Sequence, residues 1–282
     1  MANFHTDEWI MAQVERHYRE AMMRYPEDRI IGVFLQGSQN YGLDYEGSDI
    51  DTKCILAPTW EDLCFNRKAV STTHILDNEE HLDAKDIRLY FQCFRKQNLN
   101  FLEILFTPYK IINPLYREFW NELIENNEAI AHYDPVGAVK TMKGIAMEKF
   151  HAMEHEYPSK IELIQKYGYD PKQLHHLIRV DEYLGRYIEG VPYADCLISE
   201  QSDYLHDVKA IVDDKVYYEL EDARSLAKMV LAHVTGLADA FCGELGKGDH
   251  TDPKVEELLD NVQRKIMTRA IGIEFQKMKG MI

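Results

Sequence analysis

The arrangement of apolar and polar positions changes period several times in the first half of the chain. Between residues 7 and 24, apolar side chains recur every three or four positions, which predicts an amphipathic helix that ends before Pro26. The next segment, from Ile30 to Leu35, is an unbroken apolar run, and its length predicts a strand buried on both faces. Apolar and acidic residues alternate at the start of the segment from Asp49 to Leu56, which predicts a second strand.

The second half of the chain has a helical pattern. Before it, short strands are predicted near residues 72–76 and 80–84, and Asp86 can cap an amphipathic helix. From Pro135 onward the predicted helices lie at about 135–166, 171–189, 216–246 and 253–278. The sequence H-Y-D-P supplies a turn at this point. The predicted fold class is therefore α+β, with a mixed sheet flanked by helices in a domain of residues 1–134 and a C-terminal helical bundle of residues 135–282.

Composition and charge limit the classes of function. The chain has 282 residues, of which 45% are hydrophobic and 28% charged, which is typical of a globular protein. Its 32 Lys and Arg against 48 Asp and Glu give a formal charge of −16, which makes long nucleic acids and anionic membranes less expected partners. The five cysteines are scattered and include no C-x-x-C pair, which predicts a reducing, cytoplasmic compartment. The N-terminus is acidic and no long apolar run follows, so no membrane segment is predicted.

A Gly-Ser turn and two carboxylates follow the predicted strands. Gly37 and Ser38 come directly after the first strand, and ten residues separate them from Asp49-Ile50-Asp51. Because Gly37 has no side chain, the backbone N–H groups of this turn can approach phosphate oxygens closely. Asp49 and Asp51 share one strand face, and such oxygen ligands suit Mg²⁺ together with substrate phosphates. A D-x-D pair alone is usually a solvated strand face, but its place after a strand and a Gly-Ser turn favours a metal site.

A site for two metal ions needs a third carboxylate. Asp83 alternates correctly on the predicted strand that contains it and is the favoured residue, with Glu79, Glu80 and Asp86 as competitors. Asp86 is better explained as a helix N-cap, and Glu79-Glu80 as a turn. Two ions would orient a triphosphate and lower the pKa of an attacking hydroxyl. Lys53 lies beside the acidic pair as a counter-charge, or else forms a salt bridge with acids of the preceding loop.

The motif G-S-x₁₀-D-I-D resembles the signature of the DNA polymerase β-type nucleotidyltransferase superfamily, in which a hydrophobic residue and G-[GS] precede D-h-[DE]-h. Gln36 and Thr52 occupy positions that are usually hydrophobic in that signature. More narrowly, GSQNYGLDYEGSDID resembles uncharacterised nucleotidyltransferases of bacteria and phages, in which an N-x-x-x-x-E-x-L-F segment follows the third carboxylate. Here that segment runs from Asn98 to Phe106, and the resemblance spans residues 30 to about 190.

The resemblance implies a nucleotidyltransferase-type sheet and a role for each motif residue. By that resemblance, Asp49 and Asp51 hold both metal ions, Asp83 positions the acceptor, and Gly37 and Ser38 hold the triphosphate. The expected cofactor is Mg²⁺, as two ions, and Mn²⁺ has the same ligand preference.

A cationic stripe lies on the predicted helix 171–189. Lys172, His176 and Arg179 share one face of this helix, opposite its apolar stripe, and the spacing also resembles a K-x-x-x-H-x-x-R helix of the family. We expect these side chains to hold the β- and γ-phosphates or pyrophosphate. The alternative is a solvated helix face.

Two further interpretations remain open at this point. The segment from His151 to His155 matches the inverted zinc-protease motif H-x-x-E-H, but chance matches are common in a chain with 12 histidines. The favoured function is transfer of a nucleoside monophosphate from an NTP such as ATP to the hydroxyl of a small molecule or protein. The alternatives are transfer to an RNA end and a non-catalytic nucleotide-binding regulatory module, such as the antidote half of a toxin system.

Overall fold

The computed structural model describes residues 3–280. A mixed sheet contains the strands β1 (Ile30–Gln36), β2 (Asp51–Leu56), β3 (Ser71–Ile75), β4 (His81–Asp86) and β5 (Lys110–Ile112). The strand order is β3-β4-β2-β1-β5, with β2 and β4 parallel and the other neighbours antiparallel. The α+β architecture, with a mixed sheet in the first half of the chain, agrees with the prediction from the sequence.

Helices flank the sheet and form most of the second half of the chain. Within the described range, the α-helices of the first half are α1 (Asp7–Arg24), α2 (Trp60–Cys64), α3 (Ile87–Arg95), α4 (Leu99–Leu102), α5 (Arg117–Glu125) and α6 (Asn127–Ala131). Those of the second half are α7 (Pro135–Ala152), α8 (Ile161–Tyr167), α9 (Pro171–Ile188), α10 (Tyr193–Leu197), α11 (Ser202–Lys209), α12 (Leu220–Leu245) and α13 (Pro253–Lys279). The strands β6 (Ile211–Val212) and β7 (Lys215–Val216) form a separate hairpin.

The two faces of the sheet have different partners. On one face, α1 covers the alternate residues of β1, β2 and β4 with its apolar stripe, which includes Ile10 and Val14. On the other face, Phe34 of β1 packs against Trp120, with their rings 4.7 Å apart. The unbroken apolar run of β1 is therefore explained, since all but the last residue of this strand are buried.

The chain divides into two compact units, and the last helix belongs to the first of them. The sheet unit contains the residues up to Asp134 and those from Thr251 onward, and the helical unit runs from Pro135 to His250. The assignment of the whole range 135–282 to the helical domain is therefore wrong for its final helix. The physical reason is that Arg95 of α3 forms ion pairs with Glu256 and Asp260 of α13, whose apolar side chains are also buried in this unit.

The helical unit packs α7, α9 and α12 against one another. The long helix predicted at 135–166 is interrupted after Ala152, because Pro158 cannot donate a helical hydrogen bond and the Met153 carbonyl accepts from the N–H of Asp170 instead. The helix predicted from 216 starts at Leu220, since Lys215–Val216 pairs in the hairpin.

One described helix, α12, is long and apolar enough by composition to cross a membrane. Length and composition alone are weak evidence, because helices of helical bundles pass the same test. Here Ala227, Val230 and Val234 are buried at helical spacing, and Asp239 of the same helix pairs with Lys143 of α7 at 2.7 Å. These contacts pack one face of α12 against its neighbours in the helical unit.

Candidate functional site

The Gly-Ser turn after β1 is a fixed structure. Gly37 has φ of 105°, in the region that favours glycine, and residues Ser38–Asn40 form a single 3₁₀ turn. The Asn40 side chain donates to the Leu35 carbonyl at 3.0 Å and accepts from the Thr107 hydroxyl at 2.6 Å. The turn therefore presents its backbone without relying on a bound ligand for its shape.

The same turn is attached to the segment that carries the two acids. Gln36, the residue before Gly37, is paired with Asp51, the first residue of β2. The buried side chain of Gln39 donates from Nε2 to the Asp49 carbonyl at 2.9 Å. Its Oε1 is buried and has no hydrogen-bond partner among residues 3–280. The structure thus brings Gly37, Ser38, Asp49 and Asp51 to one edge of the sheet.

The two carboxylates at this edge differ in their surroundings. Asp49 is exposed, and its carboxylate makes no hydrogen bond or ion pair with residues 3–280. Asp51 is partly exposed, and its Oδ1 accepts from the backbone N–H of His81 at 2.9 Å and lies 3.0 Å from the ring Nδ1 of that residue. Sequence reasoning missed His81, because only the parallel pairing of β2 with β4 shows that it lies beside Asp51.

Charged side chains of β2 and β4 share the sheet face opposite α1. We call this set, formed by Asp51, Lys53, His81, Asp83 and Lys85, the charged face. The register pairs Lys53 with Asp83, and side chains two positions apart on a strand point the same way. Asp83 alternates with buried residues on β4, as predicted from the sequence, and the pairing of Asp83 with Lys53 puts it on the same sheet face as Asp51.

Asp83 is nevertheless engaged with lysines rather than with the other two acids. Its Oδ2 lies 3.5 Å from Lys53 Nζ and 4.0 Å from Lys85 Nζ, and its Oδ1 accepts from the Thr73 hydroxyl at 3.4 Å. Lys53 thus pairs with Asp83, and no ion pair to the acids of the loop after β1 forms in the described part of the chain. Burial is the main reason that the pKa of Lys53 lies below its ordinary value, and Asp83 opposes this shift.

The three acids that competed with Asp83 lie elsewhere. Asp86 caps α3 by accepting from the N–H of Arg88, and also pairs with its guanidinium at 2.8 Å. Glu80 is buried and contacts Arg16 and, at 2.8 Å, His17 Nε2. Burial would raise the pKa of Glu80, but hydrogen bonds from His17, Asn78 and Arg16 lower it to about 2. Glu79 is an exposed turn residue with positive φ.

The edge residues fit a divalent cation in part. Between residues 3 and 280, no group of three or more His, Cys, Asp and Glu side chains is close enough to hold a metal ion. Asp49 and Asp51 offer hard oxygen ligands, and Mg²⁺ in phosphate sites commonly takes one or two carboxylates plus phosphate and water oxygens. The donor set fits that mode of binding. Asp83 as a third ligand stays a prediction, since its carboxylate would have to leave Lys53.

The cationic stripe belongs to the helical unit. Lys172 is exposed, and His176 and Arg179 are half-buried on α9. Burial lowers the pKa of His176 well below its ordinary value, so this imidazole is neutral at pH 7. Farther along, Arg186 donates to the Ile198 carbonyl at 2.7 Å, which is a structural contact within the unit. Binding of phosphates by Lys172, His176 and Arg179 stays a prediction.

The H-x-x-E-H segment does not form the helical arrangement that a zinc protease needs. Helix α7 ends at Ala152, so His151 and His155 do not share a helix face. Glu154 forms a bidentate pair with Arg224, with contacts of 2.9 and 2.7 Å. The segment therefore has a structural explanation.

No protein family model matches the sequence, and no curated protein sequence matches it. Among solved structures, the chain is similar to a nucleotidyltransferase-like protein from Exiguobacterium sibiricum 255-15, at 12% sequence identity and a TM-score of 0.32. The similarity covers 83% of this chain and 79% of that chain. Likeness of this degree does not constrain the chemistry of the site, which depends on the side chains of this chain.

Proposed function

We propose that the protein is a metal-dependent nucleotidyltransferase. It would move a nucleoside monophosphate from a nucleoside triphosphate to an acceptor hydroxyl and release pyrophosphate. The observation that supports this most directly is the meeting of a preformed Gly-Ser turn with two carboxylates, through the pairing of Gln36 with Asp51. A triphosphate and its divalent cation need close backbone N–H groups and hard oxygen ligands side by side.

Each residue at this edge has a role in the proposal. The backbone N–H groups at Gly37 and Ser38, with the Ser38 hydroxyl, bind phosphate oxygens of the donor. The carboxylates of Asp49 and Asp51 hold Mg²⁺, or Mn²⁺ in its place. When bound, the ion neutralises phosphate charge and lowers the pKa of the acceptor hydroxyl. His81 keeps the Asp51 carboxylate in place through its N–H and ring.

The transfer is an in-line displacement at the α-phosphorus. The acceptor oxygen forms a bond to this phosphorus while the bond to the oxygen that bridges to the β-phosphate breaks. The hydroxyl proton passes to water, and the electron pair of the broken bond leaves with pyrophosphate. Positioning of the donor by the turn, and neutralisation of phosphate charge by an ion held at Asp49 and Asp51, which we call the acidic edge, would supply the catalysis.

The acceptor and the number of ions are finer parts of the proposal. The formal charge of −16 favours a small molecule or a protein side chain over a long RNA as acceptor. We propose ATP as the first donor to test, among the four ribonucleotides. A second ion that uses Asp83 would require the Asp83 carboxylate to leave Lys53 and approach Asp51.

Thermal unfolding with each nucleotide tests the proposal. A nucleotide at about 100 times its Kd adds about 2.7 kcal/mol of stability, which is a shift of several degrees. We expect a Mg²⁺-dependent shift with at least one NTP in the native protein and in Asp77→Asn, an exposed acid of the β3–β4 turn. The shift is expected to be absent in Asp51→Asn.

The other outcomes separate the alternatives. If no nucleotide shifts the transition in any metal condition, the nucleotidyltransferase proposal is wrong. A shift that needs no Mg²⁺ and persists in Asp51→Asn would favour a nucleotide-binding regulatory module over an enzyme.

A further inference from the structure

Two lysines and one aspartate share a small volume on the charged face. The ammonium groups of Lys53 and Lys85 lie 3.5 and 4.0 Å from the same carboxylate oxygen, Asp83 Oδ2. The Lys53 residue is 4% exposed. Between residues 3 and 280, no acid other than Asp83 lies within 4.0 Å of either ammonium. One carboxylate therefore faces two cations.

The same two cations also lie over one aromatic ring. Lys53 Nζ is 4.4 Å and Lys85 Nζ 4.5 Å from the centre of the Phe101 ring. A ring face attracts a cation but does not neutralise it, and two cations over one ring repel each other. The arrangement thus holds a surplus positive charge in a mostly buried place, although the whole protein has a formal charge of −16.

A buried charge without an equal counter-charge is costly for a protein. An anion that contacts both ammonium groups would remove this cost. Such an anion can reach them from solvent, since the side chains of Lys85 and Asp83 are 15% and 17% exposed. Lys53 is also two positions from Asp51 on the same strand face, so an anion at this place lies next to the acidic edge.

We propose that Lys53 and Lys85, supported by Phe101 and Asp83, form an anion subsite for the pyrophosphate portion of the nucleotide donor. The identity of the anion rests on the proposed function; the subsite itself rests on the surplus charge. In this account Asp83 holds the two lysines together while the subsite is empty, and the polyphosphate takes over their neutralisation when it binds.

Binding of inorganic pyrophosphate to the full chain in the presence of EDTA tests the subsite. Calorimetric titration would compare the native protein with Lys85→Met, which keeps the Lys53–Asp83 pair. Lys68→Met is the matched control, because it removes the same charge from an exposed loop position. We expect Lys85→Met to weaken pyrophosphate binding by about tenfold. We expect Lys68→Met to change it by less than about twofold.

A second readout uses the native protein alone. Burial raises the pKa of the half-buried Cys93 thiol, and Lys85, Lys96 and Lys53 oppose the shift, so these ammonium groups lie near it. Pyrophosphate should slow alkylation of Cys93 by neutral iodoacetamide about threefold or more, because added negative charge near these lysines raises the pKa of the thiol and lowers its thiolate fraction. The exposed Cys64 serves as the internal control, and mass spectrometry measures both sites.

Failure of the subsite and failure of the proposed function give different results. If pyrophosphate binding responds equally to Lys85→Met and Lys68→Met, and Cys93 is not protected, the subsite does not exist. If Mg²⁺-dependent nucleotide binding is intact in that case, the proposed function still stands. If pyrophosphate binding depends on Lys85 while no nucleotide binds with Mg²⁺, the subsite stands and the nucleotidyltransferase proposal is wrong.

Discussion

The two faces of the sheet differ in whether their polar side chains are paired within the protein. On the face covered by α1, the buried His17 lies 2.8 Å from the Thr52 hydroxyl and 2.8 Å from Glu80 Oε2, so three polar groups satisfy one another. On the charged face, two lysines share one carboxylate, and at its edge the Asp49 carboxylate has no partner among residues 3–280.

This difference separates structural polar groups from those that await a ligand. A closed network such as His17, Thr52 and Glu80 connects α1, β2 and the turn before β4, and it needs nothing from outside the chain. The Asp49 carboxylate, which has no partner among residues 3–280, and the surplus cations of Lys53 and Lys85 instead match the two halves of a metal–polyphosphate complex. We therefore expect substitutions on the charged face to change ligand binding, and substitutions on the face covered by α1 to change the stability of the protein.

The largest effect is expected at the acidic edge. Replacing both acids, Asp49→Asn with Asp51→Asn, removes the charged metal ligands and should lower turnover by about 10³-fold or more once an acceptor is known. Circular dichroism should show an intact fold, since neither carboxylate is buried. Turnover within a few-fold of the native rate would contradict the assigned role of this edge.

A smaller effect, on nucleotide binding, is expected from a substitution in the Gly-Ser turn. Gly37→Ala introduces a side chain at φ of 105° and should cost about 1–3 kcal/mol or displace the turn. We therefore expect about tenfold weaker nucleotide binding, measured by titration. Gly144→Ala is the control. A Cβ at this helical position meets no neighbouring atom within 4 Å, so the substitution should slightly stabilise the protein. Equal nucleotide affinity in the two variants would argue against phosphate binding by the turn.

On the α1 face, Glu80→Gln should lower stability by about 1–2 kcal/mol at pH 7 without affecting ligand affinity. The pKa of Glu80 is lowered in the folded protein to about 2, so its contribution is fully present above the ordinary value of 4.5. That contribution is lost as the pH falls from 4.5 toward 2. Urea unfolding between pH 7 and 3 measures this effect. The difference in the free energy of unfolding between the native protein and the variant should become smaller below pH 4.5. A difference that stays constant would contradict the carboxylate network.

The smallest effect on metal binding is expected for Asp83. In our account its carboxylate balances Lys53 and Lys85, so Asp83→Asn should strengthen pyrophosphate binding by about threefold. Mn²⁺ binding with nucleotide should change by less than about threefold. Complete loss of Mn²⁺ binding would instead support Asp83 as the third metal ligand, which the family resemblance implies.

Much of the sheet unit could be predicted from sequence, because its signals are local. The buried run from Ile30 and the cap at Asp86 depend on period and turn chemistry within a few residues. The strand predicted from Asp49 begins at Asp51 in the structure, so Asp49 precedes the strand and does not share its face. The parallel pairing of β2 with β4 is not local, so the contacts of His81 with Asp51 and of Lys53 with Asp83 were not predictable. Similarly, the amphipathic pattern of α13 predicts a helix with one buried face, but it does not indicate that this face packs in the sheet unit.

Electron paramagnetic resonance of Mn²⁺, with the nucleotide that stabilises the protein best, tests directly whether this end of the sheet holds a metal–nucleotide complex. We expect the native chain to bind Mn²⁺ beyond the amount that the nucleotide alone binds. The double variant of Asp49→Asn and Asp51→Asn should bind none of this additional Mn²⁺, while Asp77→Asn should bind as the native chain does. Equal Mn²⁺ binding by the native chain and the double variant would contradict a metal–nucleotide site at this edge of the sheet.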